Sequence, residues 1–227
     1  MMDSNLTWKQ HILELTKKIS RSIGVLCKLR HFVPPNILIQ IYYSIIFPFL
    51  TCGVVIWGNN YPTNLYPLVT IQKRAIRILS FSHFQAHTTE LFKKFNLLKV
   101  MDIIKLYTAI FMHQFHNGIL PKSFNNFFTP VCTRHQYNTR LASKLTFSLP
   151  QARTNYGLFN IRFSGPKLWN SIDEILKSSS VVSFKKIIQT NIDVGLLTIL
   201  FFLFLFFLSL FLMYIHLHHY SLLTSLY

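Results

Sequence analysis

Acidic residues are scarce in this 227-residue chain: seven Asp and Glu stand against 23 Lys and Arg, a formal net charge of +16. Two-metal polymerases and nucleases need two or three carboxylates that converge on one site. Only Asp173 and Glu174 are sequence neighbours, within SIDEI, a stretch typical of a helix start, where the helix dipole favours acids. The sequence therefore predicts that the chain is not an enzyme and has no catalytic residue.

Cysteine is also rare, and its spacing excludes a disulfide framework. No CxxC pair occurs, which indicates reduced thiols. The histidine pairs His83–His87 and His113–His116 have helical spacing, but two histidines alone do not complete a metal site. No glycine-rich phosphate loop occurs. We therefore expect no metal, no cofactor and no small-molecule substrate. The three cysteines are Cys27, Cys52 and Cys132.

The basic excess is confined to the first part of the chain, because no charged residue lies between Val194 and Tyr227. Val194 to Ile215 is an uncharged run of 22 residues, and about 20 apolar residues span a bilayer as a helix. Lysines precede the run and none follows it, which predicts a single-pass membrane protein with a cytosolic body and residues 216–227 across the membrane. The alternative is that this tail was never selected, and the body then lies in the nucleus or cytoplasm.

A second uncharged run extends from His31 to Gln72. Asn36, Gln40, Pro48 and the pair Pro34-Pro35 interrupt it. These residues favour buried core helices over a second membrane span.

Two stretches have helical periodicity with one apolar and one basic face. The first is residues 7–29, where Thr7 is the expected N-cap, and the second is about 65–81. Their outward basic residues fit either a solvated surface or a surface that follows nucleic-acid phosphates. These residues are Lys17, Lys18 and Arg21 in the first helix, and Lys73, Arg74 and Arg77 in the second.

The rest of the body is predicted to be mostly helical. A helical region covers 88–115, and an irregular or β-hairpin part covers about 127–165. SGPKLWNSIDEIL follows as a helix with Pro166 in its first turn, and SVVSFKKIIQ as a short last helix. We therefore expect a predominantly α fold. Its parts are residues 1–126, residues 127–190 with the hairpin and short helices, the membrane helix at 194–215 and the tail at 216–227.

The stretch RHQYNTR at 134–140 combines arginine with an aromatic residue. Tyr137 between Arg134 and Arg140 has the composition of a site that stacks a base and holds a phosphate. The same residues would equally suit a hairpin packed by the tyrosine ring. Spacing alone leaves both interpretations open.

Eight short stretches occur in a recognisable order. They are DSNLTWKQHI at 3–12, KISRSIGVLCKLRHFVP at 18–34, YYSIIFPFLTCGVVIWG at 42–58, IQKRAIRIL at 71–79, HTTELFKKFNLLKVMDI at 87–103, GILPKSF at 118–124, HQYNTR at 135–140 and GPKLWNSI at 165–172. Through them, the chain from about Asp3 to Ile188 resembles the region after the polymerase domain in jockey-like non-LTR (LINE-type) retrotransposon reverse transcriptases.

The resemblance implies a non-catalytic C-terminal piece of a polyprotein. In that family the polymerase Asp pair and the endonuclease domain lie upstream, and no position here matches them. The family region is thought to hold template RNA or target DNA, so RNA or DNA phosphate is the implied partner. The rival interpretation is a tail-anchored protein whose partner is the lipid bilayer. The implied nucleic-acid contacts are Lys17, Lys18, Arg21, Lys73, Arg74, Arg77, Arg134, Tyr137 and Arg140.

Overall fold

A computed structural model describes residues 7–133 and 145–191, and this part of the chain is predominantly helical with no β-sheet. The fold class expected for the body is thus confirmed. The predicted membrane helix at 194–215 lies outside the described residues. The helices are α1 Lys9–Leu29, α2 Pro35–Ile45, α3 Phe47–Thr51, α4 Val54–Trp57, α5 Pro62–Leu79, α6 Thr88–Lys94, α7 Val100–His116, α8 Asn155–Phe159, α9 Ile161–Asn170, α10 Glu174–Lys177 and α11 Val181–Asn191.

Helix α1 packs along α5 through the apolar face that the periodicity predicts. The prediction of its N-cap is wrong by one residue, because Trp8 occupies that position in a left-handed conformation. The Trp8 ring packs edge-on against His11 at 5.9 Å, while Thr7 Oγ1 lies 3.5 Å from the Lys9 amide. The buried α1 residues are Ile12, Leu15, Ile19, Ile23 and Leu26.

The first part of the uncharged run after His31 forms three short helices, α2 to α4, whose buried side chains supply much of the core. Pro35 begins α2, and Gly53, with φ of 63°, lies between α3 and α4. A left-handed conformation at this point favours glycine and separates the two short helices. The predicted core helices are therefore confirmed. Within residues 7–133 and 145–191, no helix is long and apolar enough to cross a membrane.

The predicted helical region at 88–115 is two helices. Asn96 has φ of 56° and ends α6, and the Leu97 amide donates to the Phe92 carbonyl at 2.9 Å. Asparagine tolerates the left-handed conformation better than most residues, which explains why the break falls there. Helix α7 begins at Val100 and packs against α3, α4, α5, α9 and α11, so it lies at the centre of the fold.

Helix α9 begins one turn earlier than its proline suggests. The Asn160 Oδ1 atom accepts from the Arg162 amide at 2.9 Å and caps the helix, which places Pro166 inside it. The expected first-turn position of Pro166 is therefore wrong. An asparagine cap determined this start, because it satisfies an amide that the first turn leaves free.

In the part predicted as irregular or β-hairpin, the described residues form one isolated antiparallel bridge between Pro130 and Phe147. The Val131 amide donates to the Thr146 carbonyl at 3.0 Å, and α9 supports the bridge because the Asn170 amide side chain bonds both backbone groups of Phe147. Residues 134–144, which include RHQYNTR, lie outside the described residues. Residues 155–165, predicted as irregular, belong mostly to α8 and α9.

Candidate nucleic-acid interface

The basic residues of α1 are exposed on its outer face, as their spacing predicts. Lys17 Nζ lies 2.9 Å from Glu14 Oε1, one turn earlier on the same helix. This exposed ion pair partly neutralises Lys17, whereas Lys18 and Arg21 extend the positive surface. One of the three predicted α1 cations is thus already paired within the helix.

The three basic residues of α5 have different surroundings. Lys73 and Arg74 are exposed, but Arg77 is half-buried, and its Nε donates to the Ala86 carbonyl at 3.0 Å. Arg77 therefore ties the loop after α5 back onto the helix. Part of its guanidinium has a structural role that the helical spacing does not reveal.

Lys73 and Arg77 line a cleft of about 490 Å³ between α5 and the starts of α6 and α7, which we call the basic cleft. His87 and Lys99 also line it, and none of the lining residues is Asp or Glu. Arg74 is outside the lining. The lining residues are Val69, Gln72, Lys73, Arg77, Gln85, Ala86, His87, Thr88, Thr89, Phe92, Lys99, Val100 and Met101.

Lys99 is the residue that sequence reasoning missed. It occupies the N-cap position of α7, whose helix dipole adds positive potential on the side of the cleft. A single helix over 88–115 would have placed this lysine mid-helix. Asn96 was the available signal that the helix is interrupted before Lys99, because asparagine tolerates the left-handed conformation found there. Glu90 in the first turn of α6 and Asp102 in the first turn of α7 are not among the residues that line the cleft.

The buried amide of Gln72 holds the cleft together. Its Nε2 donates to the Tyr42 hydroxyl at 3.0 Å and to the Leu98 carbonyl at 2.8 Å. Its Oε1 accepts from the Val100 amide at 3.0 Å. One side chain thereby joins α2, α5 and the turn before α7, and fixes the separation of Lys73 from Lys99.

A second, larger cavity has a different character. Its volume is about 700 Å³, and it lies between α4, α8 and the aromatic residues that follow α7. Four phenylalanines and two tyrosines beyond α4 contribute to its wall, and none of the lining residues is charged. The titratable side chains in its lining are the two tyrosines. The aromatic residues beyond α4 are Tyr61, Phe111, Phe124, Phe127, Tyr156 and Phe159, of which Phe111 belongs to α7.

The histidine pairs have separate positions and roles. His113 is buried, its Nε2 lies 2.9 Å from the Ser179 carbonyl, and its ring stacks on Phe184. It therefore docks the chain before α11 onto α7. His83 and His87 are exposed near the basic cleft. Among the described residues, no group of three or more His, Cys, Asp or Glu side chains is placed to bind a metal.

The predicted contacts Arg134, Tyr137 and Arg140 lie outside the described residues. Of the other six, the structure brings Lys73 and Arg77 together in the basic cleft and adds Lys99 and His87 to them. Comparison with protein-family models, curated proteins and solved structures finds no match. The residues that carry the functional argument are therefore those of the cleft itself.

Proposed function

We propose that this chain binds RNA or DNA through the phosphate backbone, with the basic cleft as its centre, and that it is not an enzyme. The supporting observation is a cleft with Lys73, Arg77, Lys99 and His87 in its wall and no carboxylate among the lining residues. Neutralising phosphates with lysine and arginine releases counterions and provides most of the affinity of non-specific binding. The net charge of +16 attracts a polyanion to the surface around the cleft.

The family part of the proposal rests on the ordered sequence motifs. We propose that the chain is a fragment of a jockey-like non-LTR retrotransposon reverse transcriptase that keeps the template-holding role without catalytic carboxylates. Lys18, Arg21 and Arg74, which are exposed on α1 and α5, would extend the contact beyond the cleft. Arg134, Tyr137 and Arg140 remain proposed contacts from the sequence.

The test is a salt series with the full chain, purified in a nonionic detergent because of its apolar tail. Binding of a fluorescein-labelled 12-nucleotide strand is measured by anisotropy for the parent and for a Lys73→Ala, Lys99→Ala double variant. The slope of log K against log salt is negative, and each lost phosphate contact on a single strand reduces its magnitude by about 0.7. The double variant should therefore have a slope that is shallower by about 1.4.

Lys122→Ala is the matched control, because Lys122 is an exposed lysine outside the cleft lining. It should leave the slope within about 0.3 of the parent, since it removes the same charge without a phosphate contact. An unchanged slope in the double variant, or an equal change in the control, would show that the cleft is only a solvated surface.

The uncharged run at 194–215 favours a second function, a tail-anchored membrane protein whose basic body faces an anionic leaflet. Alkaline extraction of membranes from expressing cells separates the two proposals. An integral anchor stays with the membrane pellet, whereas a nucleic-acid binder without an anchor is released. Retention in the pellet together with an unchanged salt slope would favour the membrane role.

A further inference from the structure

The loop between α5 and α6, residues 80–87, presents an aromatic ring at the edge of the basic cleft. Phe84 is 72% exposed, and the residues immediately after it, Gln85, Ala86 and His87, line the cleft. The Cα atoms of Phe84 and His87 are at most about 11 Å apart, because three residues of extended chain reach no further. Phe84 therefore adjoins the wall of the basic cleft along the chain.

The loop is tied to α5 at several points. Besides the Arg77 bond to Ala86, the Ser82 amide donates to the Arg77 carbonyl at 3.1 Å. The Ala86 amide donates to the His83 carbonyl at 3.0 Å and closes a turn around Phe84. These bonds tie the backbone on both sides of Phe84 to α5, the helix that carries Lys73.

The two phenylalanines of the loop differ in their surroundings. The Arg30 guanidinium lies 4.7 Å from the centroid of the Phe81 ring, so that face is covered by a cation. The Phe84 ring has the His83 ring beside it at 5.3 Å, tilted by 51°. Phe84 is thus the more accessible of the two, and His83 gives its ring partial support.

We infer that the basic cleft takes single-stranded RNA or DNA in preference to a duplex, with an unpaired base stacked on Phe84 and the adjacent phosphates bound by Lys73 and Lys99. This inference rests on the proposed function. Single-strand binders combine a positive groove with aromatic rings, because every base has a face that stacks. In a duplex the bases are already stacked and paired, so Phe84 has no base to contact.

The experiment compares three labelled probes on the full chain in nonionic detergent at one salt concentration: U12, dT12 and a 12-base-pair duplex. Phe84→Ala should weaken binding of U12 or dT12 by roughly fivefold or more, the loss expected for one base–aromatic stack, and leave duplex binding unchanged. Phe84→Trp should bind the single strands at least as tightly as the parent. Phe84→Leu should resemble the alanine variant, because it keeps apolar area but has no aromatic face.

Tyr156→Ala is the aromatic control, since Tyr156 is 50% exposed but lines the apolar cavity instead of the cleft. It should bind all three probes like the parent. Far-UV circular dichroism checks that every variant retains the helical fold. We expect the Phe84 variants to retain it, because the side chain they replace is exposed.

The outcomes separate this inference from the proposed function. The stacking role is overturned if all probes bind with salt dependence and Phe84→Ala loses no affinity for the single strands. It is also overturned if the variant loses equal affinity for the duplex. Either result leaves the proposed phosphate binding intact. Binding of no probe by the parent overturns both. Selective loss on RNA, on DNA or on both supports the inference and shows which strand the loop accepts.

Discussion

Replacing Gln72 by methionine should be among the most destabilising single changes in the fold. Gln72 is 1% exposed, and its amide bonds the Tyr42 hydroxyl, the Leu98 carbonyl and the Val100 amide. Methionine has a similar length but leaves these three groups without that partner. Each buried group left unsatisfied costs about 1–3 kcal/mol, and the gain from an apolar side chain offsets part of this. We expect a loss of about 3–6 kcal/mol.

Urea denaturation of the full chain in nonionic detergent, followed by far-UV circular dichroism, measures this loss. Gln40→Met on the exposed side of α2 makes the same chemical change without buried partners and should stay within about 0.5 kcal/mol of the parent. A Gln72→Met free energy of unfolding within about 1 kcal/mol of the parent would refute the reasoning. The Tyr42 hydroxyl gives a second readout. Burial raises the pKa of Tyr42 to about 12, and the Gln72 hydrogen bond partly opposes this rise. Gln72→Met removes that bond and should raise the pKa of Tyr42 further.

Two further stability changes follow from local geometry. Gly24→Ala should stabilise the chain by roughly 0.5–1 kcal/mol, because a Cβ there meets nothing within 4 Å and alanine favours the helix. Gly58→Ala should destabilise it by about 1–3 kcal/mol in the same urea assay, because its Cβ would clash with the Val54 carbonyl and lie 2.8 Å from Ile104 Cγ1. A less stable Gly24→Ala variant or a more stable Gly58→Ala variant would contradict this packing. Burial lowers the pKa of His116 below 6.5, so its contribution to stability is present above pH 6.5 and is lost as pH falls through the lower folded pKa. His116→Gln should therefore lose less stability than the parent between pH 7.5 and 5.5, and parallel pH profiles would contradict the assignment.

The amphipathic helices were predictable because their apolar residues repeat at the helical period over many turns. In α1 that pattern included all five residues that the structure buries, together with Trp8, which is half-buried at the N-cap. The short helices α2 to α4 were expected only as buried helical sequence. Their separate bounds depend on single residues such as Gly53, whose left-handed conformation the hydrophobic pattern does not encode.

The basic cleft was only half predictable. Lys73 and Arg77 lie one turn apart on α5, so local spacing places them together. Lys99 joins them because Gln72 bonds the chain on both sides of it, at Leu98 and Val100. The Gln72–Leu98 bond spans 26 residues of sequence and depends on a buried polar residue. A prediction from hydrophobic periodicity expects apolar residues at buried positions and therefore does not anticipate it. The bond from Arg77 to the Ala86 carbonyl was not predictable either, because helical periodicity does not encode a side-chain bond to a loop carbonyl.

The charge balance connects the stability of this fold to its proposed partner. Seven acidic side chains can neutralise at most seven of 23 basic ones, so the folded chain carries an uncompensated excess that repels itself. In the basic cleft, the neutral Gln72 amide bonds the backbone on both sides of Lys99, Arg77 donates to the Ala86 carbonyl, and no carboxylate is among the lining residues. A carboxylate there would stabilise the free protein but would compete with phosphate for the same cations. The neutral support leaves their charge available, and a bound polyanion would relieve the repulsion and stabilise the folded state. If the cleft binds a polyanion as proposed, binding would stabilise the fold through these three side chains.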